Sequence, residues 1–225
     1  MGGWQELHIQ SNIPLIVLAL SVICVVVIGF LEFKKMTHKI NELTVEVQNM
    51  KKIKYGIIGA GTMAREHILN ISLIDNAEVV ALADPHEDSL NQCKEIIKTK
   101  IFCFKNHLEM IEKNIVDVYL ISSPNFTHLE ILKDVIKTKK HILVEKPLCT
   151  NTKDCLKIKK LTKDYPSVFW TAMEYRYMPP VSKFINEIHN NKIGDLRTLT
   201  IREHRFPFLK KVNDWNRFEE NTGGT

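Results

Sequence analysis

A chain of 225 residues has room for one or two domains, and 44% apolar with 25% charged residues suits a globular protein with a packed core. The net charge of +5 is mild, and the runs KTKK (137–140) and KIKK (157–160) fall where helices are expected, with no aromatic residues between their lysines. They read as solvated helix faces, and no nucleic-acid module is expected.

Five cysteines, at 24, 93, 103, 149 and 155, form neither a CxxC pair nor a zinc-like spacing. They read as free thiols of a reducing compartment, with no metal site. Residues 1–12 are a leader without Lys or Arg. From Ile9 to Leu31 no residue is charged, and 23 residues at about 1.5 Å each span roughly 34 Å, enough for a bilayer core. We assign a transmembrane helix to 13–31. A cleaved signal peptide would want a basic leader and small residues at its exit, whereas Glu6 precedes this run and GFLEFKK follows it. A buried soluble helix is the third reading. Lys34, Lys35 and Lys39 follow the span and no basic residue precedes it, so the positive-inside rule puts the C-terminal bulk in the cytosol. On that topology the sequons Asn70-Ile71-Ser72 and Asn125-Phe126-Thr127 are chance matches. Residues 32–52 form a stalk, in which Ile40, Leu43, Val47 and Met50 recur at helical spacing; this is too short to claim a coiled coil.

From residue 53 the pattern becomes regular. Strands are expected at 53–58 (IKYGII), 77–84, 101–104, 116–123 and 141–147, and helices at about 63–74, 86–99, 106–113 with Asn106 as cap, and 126–138. Five near-continuous Ile/Val/Leu strands separated by helices argue for a parallel sheet covered on both faces, a doubly wound α/β domain over 53–150. Residues 151–225 would begin a partial α+β second domain, with a strand at 168–175 (VFWTAMEY).

The loop Gly59-Ala60-Gly61-Thr62-Met63-Ala64 follows the first strand and opens a helix, which is the setting of a dinucleotide fingerprint. Gly59 serves the tight turn, Gly61 lets the backbone approach a pyrophosphate, and the small Ala64 packs helix on strand. The helix start at Thr62 and Met63 offers N–H groups to phosphate. Asp84 ends the second strand, where a carboxylate can accept both ribose hydroxyls and would repel a 2′-phosphate. NAD is therefore favoured over NADP, and His86 with no adjacent Arg agrees.

Together with ISSPNFTH (121–128), VEKPLCTN (144–151) and AMEYRYMPP (172–180), these motifs resemble the glucose–fructose oxidoreductase/inositol dehydrogenase (Gfo/Idh/MocA) family over residues 53–225. The resemblance implies NAD(P)-dependent hydride transfer between a sugar or cyclitol hydroxyl and nicotinamide. It implies that Ser122, Ser123, Pro124 and Asn125 lie beside the nicotinamide ribose, with Glu145 and Lys146 at the next strand end. Lys146 is the catalytic candidate: an ammonium beside the substrate oxygen stabilises developing negative charge, and burial would tune its pKa for proton transfer. Arg176 is substrate- or cofactor-adjacent, or else part of a structural ion pair. Trp215 and Arg217 resemble the family's Trp-x-Arg stretch, and His128 either packs in its helix or touches cofactor. His204 reads as structural.

In the family the Gly-Gly turn leads on to a helix carrying a His, often with a nearby Asp. Here Gly223-Gly224-Thr225 ends the sequence, so the expectation is a truncated chain. The alternative is a catalytically inactive, membrane-tethered nucleotide-binding or interaction protein. A homo-oligomer of the full-length form is an expectation from the resemblance alone.

Overall fold

The computed structural model describes residues 32–41, 52–204 and 210–224. The predicted transmembrane helix at 13–31 and residues 42–51 of the stalk lie outside the described residues. Residues 32–41 are helical (α1), with Lys35 Nζ 3.0 Å from Glu32 Oε1 one turn back. Among the described residues no helix is long and apolar enough to cross a membrane.

Residues 52–224 belong to a separate unit. Its elements alternate: β1 (Ile53–Ile58), α2 (Thr62–Ser72), β2 (Ala77–Ala83), α3 (Glu87–Ile96), β3 (Phe102–Phe104), α4 (His107–Lys113), β4 (Val118–Ile121), α5 (His128–Val135), β5 (His141–Glu145), α6 (Thr152–Leu161) and β6 (Phe169–Ala172). The strands form one parallel sheet in the order β3-β2-β1-β4-β5-β6. That is the Rossmann arrangement, with the order reversing between β1 and β4 so that their carboxyl ends open a crevice.

Alternation of side chains along each strand splits the core into two layers. Ile57, Leu82 and Leu120 pack with Ala64, Ile68 and Ile71 of α2 and with Leu90 and Cys93 of α3. On the other face Ile58, Ala81, Tyr119, Ile121 and Val144 pack with Met110, Leu132, Val135 and Ile158 of α4, α5 and α6. In β2, β4 and β5 most residues are thus buried on one face or the other, which is why these strands read as near-unbroken apolar runs. Removing one such side chain, as in Leu120→Ala, would cost about 2–5 kcal/mol. Asn106 caps α4 as expected, its Oδ1 accepting the Glu109 N–H at 3.1 Å.

The sequence expectation differs from the structure past residue 147. The strand expected at 168–175 covers only Phe169–Ala172 and is the sixth strand of the Rossmann sheet, parallel to β5 with Glu145 opposite Ala172. The sheet therefore runs past residue 150, into the segment expected to open a second domain. Glu174–Tyr177 is a single 3₁₀ turn, followed by helix α7 (Pro179–His189). No described residue after Ala172 is in a strand, and residues 201–204 have no regular structure. A 3₁₀ stretch at Val212–Arg217 and a one-turn helix, α8 (Glu219–Thr222), end the described chain.

Candidate functional site

The crevice is lined by the loops that follow β1, β2, β4 and β5. After β1 the chain turns at Gly59, whose φ of +93° is left-handed and whose absent Cβ would lie 2.4 Å from the Ser123 nitrogen. Only glycine lets the first turn pass so close to the loop after β4. The approach is fixed by hydrogen bonds: Gly59 N–H donates to the Ala83 carbonyl at 2.8 Å, and Ser122 Oγ donates to the Gly59 carbonyl at 2.8 Å. Gly61 differs in kind. Its φ of −82° is open to any residue, and a Cβ there would meet nothing within 4 Å. The space above it is therefore free for another molecule.

Gly61 is the N-cap of α2, which has no side-chain cap and no acidic residue in its first turn, formed by Thr62 and Met63 onwards. A helix end left without such partners presents donors and a positive dipole end to an anion. Asp84, just past β2, has both carboxylate oxygens engaged: Oδ2 accepts the Ala60 N–H at 2.7 Å and Oδ1 the His86 N–H at 2.8 Å. Helix α3 begins beside it with Glu87 and Asp88 in its first turn, so this end of the crevice is acidic.

On the β4 side, Ser122 holds the glycine loop, and Thr127 Oγ1 lies 2.7 Å from both Ser123 Oγ and the Pro124 carbonyl oxygen. The Asn125 amide donates to the Thr222 carbonyl at 3.5 Å. His128 is fully buried, with Nδ1 2.9 Å from the Pro147 carbonyl oxygen and Nε2 3.0 Å from that of Ser123. It packs rather than facing the crevice, and it ties the loop after β4 to the turn after β5. Burial pushes its pKa below the ordinary histidine value, and the bonds to Ser123 and Pro147 only partly offset this.

Glu145 ends β5, is 7% exposed, and is engaged at both oxygens: His67 Nε2 lies 2.7 Å from Oε1, and the Lys146 N–H donates to Oε2 at 3.2 Å. The Lys146–Pro147 peptide is cis. The Lys146 side chain is 45% exposed, with Nζ 3.9 Å from Glu174 Oε1. The burial expected of it is not found, because a turn between strand end and helix leaves the ammonium at the surface of the crevice. Arg176 is exposed on the same Glu174–Tyr177 turn that carries Lys146's partner.

The 212–224 segment returns to this edge. Trp215 packs edge-on against Phe126, ring centroids 6.3 Å apart, and Gly223 (φ +86°) lies so near Thr150 that a Cβ would be 2.3 Å from the Thr150 oxygen. Trp215 is thereby brought beside the Asn125–Thr127 turn. Arg217 is exposed on the same segment, and His204 is exposed in a stretch without regular structure. Among the described residues no cluster of acidic, His or Cys side chains could hold a metal.

The residue that sequence reasoning missed is His67. Its signal was positional: Ala64, Ile68 and Ile71 mark the buried face of α2, and His67 falls on that face one turn after Ala64. A polar side chain there needs a buried partner, but the partner is 78 residues away, at Glu145.

Gly59, Gly61, the start of α2 and Asp84 together fit a dinucleotide: a close turn, open space over a helix N-terminus, and an acid at the neighbouring strand end. Residues 53–173 match the model of an oxidoreductase family, Gfo/Idh/MocA, with an NAD-binding Rossmann fold. The chain is similar to myo-inositol 2-dehydrogenase of Thermotoga maritima, 32% identical over 66% of this chain and 44% of the relative. It is also similar to glucose-6-phosphate 3-dehydrogenase of Bacillus subtilis, 32% identical over 69% of this chain and 42% of the relative. Among solved structures, a probable dehydrogenase from T. maritima superposes with a TM-score of 0.59 at 32% identity, over 63% of this chain and 42% of that one. The chain thus spans less than half the length of these proteins.

Proposed function

Since the chain belongs to the Gfo/Idh/MocA family of oxidoreductases, with its NAD-binding Rossmann fold, we propose that it serves hydride transfer between NAD and a hydroxyl of a sugar or cyclitol. The observation that carries the reading is the open space at Gly61 over the start of α2, on the same sheet edge as Lys146. The substrate class is supported by the names of two relatives, an inositol and a glucose-6-phosphate dehydrogenase.

In this reading Gly61, Thr62 and Met63 receive the pyrophosphate on backbone N–H groups at the α2 N-terminus. Asp84 keeps lone pairs for the adenosine ribose, and with Glu87 and Asp88 it disfavours the 2′-phosphate of NADP. Ser122, Ser123, Pro124 and Asn125 shape the wall on the nicotinamide side. A nicotinamide bound there supplies the hydride acceptor or donor. Lys146 presents its ammonium to the reacting hydroxyl, where positive charge stabilises the oxygen as its proton passes to solvent water. Glu174 balances that charge at 3.9 Å. Arg176, Trp215 and Arg217 are assigned to the rim that meets substrate.

The test is titration of the full chain with NADH, followed by NAD-dependent turnover on a panel of inositols, sugars and sugar phosphates. The reading expects NADH binding and a turnover that falls about 10²–10⁴-fold in Lys146→Ala. No binding at millimolar NADH overturns it. Binding without turnover on any polyol favours the inactive nucleotide-binding alternative.

We also propose that residues 13–31 anchor the protein by a single pass with the Rossmann unit in the cytosol. The uncharged run Ile9–Leu31 and the lysines 34, 35 and 39 behind it support this. Retention in the membrane pellet after alkaline carbonate extraction is the expected result, and release to the supernatant refutes it. Self-association rests on the family resemblance alone and is read from the mass of the detergent-solubilised protein.

A further inference from the structure

We infer that His67 is a positioning residue: it holds the buried Glu145 carboxylate, and through that carboxylate it sets the backbone at Lys146 for the nicotinamide half of the cofactor. The inference rests on the cofactor reading above.

Glu145 is the one acidic side chain in the core of the described residues. A carboxylate withdrawn from water is costly unless charge-paired or hydrogen-bonded, and an apolar residue of similar size would suit the end of β5 better if only packing mattered. Val144, immediately before it, is fully buried and apolar. The acid's two bonds show what it is used for. One oxygen receives His67 at 2.7 Å, and the other accepts the N–H of Lys146 itself at 3.2 Å.

The neighbouring His128 cannot replace His67 at this carboxylate, because both its nitrogens face the carbonyl oxygens of Ser123 and Pro147. The contact also joins two parts of the crevice that share no strand pairing. His67 stands on α2, the helix that starts at the glycine loop, while Glu145 ends β5, two strands from β1 in the sheet. On the opposite flank Asp84 ties the loop after β2 to Ala60 of the same glycine loop. Asp84 thus holds the loop directly, towards the adenosine end, while Glu145 holds the helix that the loop opens, through His67, towards the nicotinamide end.

This division makes the test specific. The full chain is titrated by calorimetry with NADH and, separately, with ADP-ribose, which lacks the nicotinamide. His67→Phe removes the hydrogen bond, and His67→Gln keeps an N–H within reach of Glu145. His67→Phe is expected to weaken NADH about tenfold and to leave ADP-ribose within about twofold, while His67→Gln stays within about threefold of wild type for both. Thermal melts report whether each variant is folded. Should His67→Phe not fold, Glu145→Gln, which keeps the shape and removes the charge, is read in the same way. Equal weakening of both ligands, no weakening of NADH, or a His67→Gln variant as weak as His67→Phe overturns the inference and leaves the cofactor reading standing. A wild-type chain that binds neither ligand overturns both.

Discussion

Asp84 Oδ2 accepts the N–H of Ala60 at 2.7 Å across a separation of 24 residues, while its other oxygen accepts the N–H of His86 at 2.8 Å. The acid expected to meet a ribose is thus also a structural brace, joining the loops after β1 and β2. Its removal acts on both levels. Asp84→Ala should lower stability by about 1–3 kcal/mol, because two backbone donors lose their acceptor. Asp84→Ser, which keeps one acceptor and removes the charge, should narrow the preference for NADH over NADPH. Paired titrations with the two cofactors check this; an unchanged ratio would refute the selectivity role.

Gly59 and Gly61 should separate folding from binding. In Gly59→Ala a Cβ is driven against the backbone of Ser123 at a φ of +93°, and a loss of about 3 kcal/mol or more is expected in chemical denaturation. In Gly61→Ala the new methyl enters open space, so the melting temperature should stay near wild type. NADH affinity should nevertheless fall about tenfold or more, because the methyl occupies the approach to α2. Equal NADH affinity in Gly61→Ala and wild type would mean that no ligand comes close there.

His128 gives stability a definite pH slope. Burial lowers its folded pKa below the unfolded value of about 6.5. The unfolded chain therefore binds the proton more readily. Its contribution is present above about pH 6.5 and is lost as the pH falls through the folded value. Urea midpoints measured between pH 7 and 5 should drop with a slope that is shallower in His128→Gln. The same slope in the variant would assign the effect to other groups.

Burial should also rank the thiols. It pushes Cys93 up to about 11 and Cys149 up to about 12. Both are buried, while Cys103 and Cys155 are only partly so. Alkylation at pH 8 followed by peptide mapping should label Cys103 and Cys155 ahead of Cys93 and Cys149, and urea should erase the difference. Early labelling of Cys93 would show that the layer beneath the glycine loop opens readily, since its thiol donates to the Ala60 carbonyl at 3.4 Å.

The sheet was legible because a parallel strand buried on two faces shows itself in one run of residues, as in VYLI and HILVE, without help from a distant partner. Asn106 was legible for the same local reason. What escaped was set by pairing across the chain. Phe169–Ala172 reads as a generic half-exposed strand, and only its register against Ile142–Glu145 makes it the sixth member of this sheet. His67 needed Glu145, and the exposure of Lys146 follows from the turn that carries it; neither is written in the neighbouring residues.

The hydrogen bond from Asn125 to Thr222 closes a loop of 97 residues, and Trp215 and Gly223 close similar ones. This gives the protein a chronology on the ribosome. All six strands have been synthesised once Ala172 is made, but the edge beside Asn125 and Thr150 waits for the residues up to Gly223. At about 5–20 residues per second that interval is roughly 3–10 s. During it the nascent chain can hold a formed sheet with the rim of its crevice still missing, and a nucleotide arriving early would meet a site open along one side.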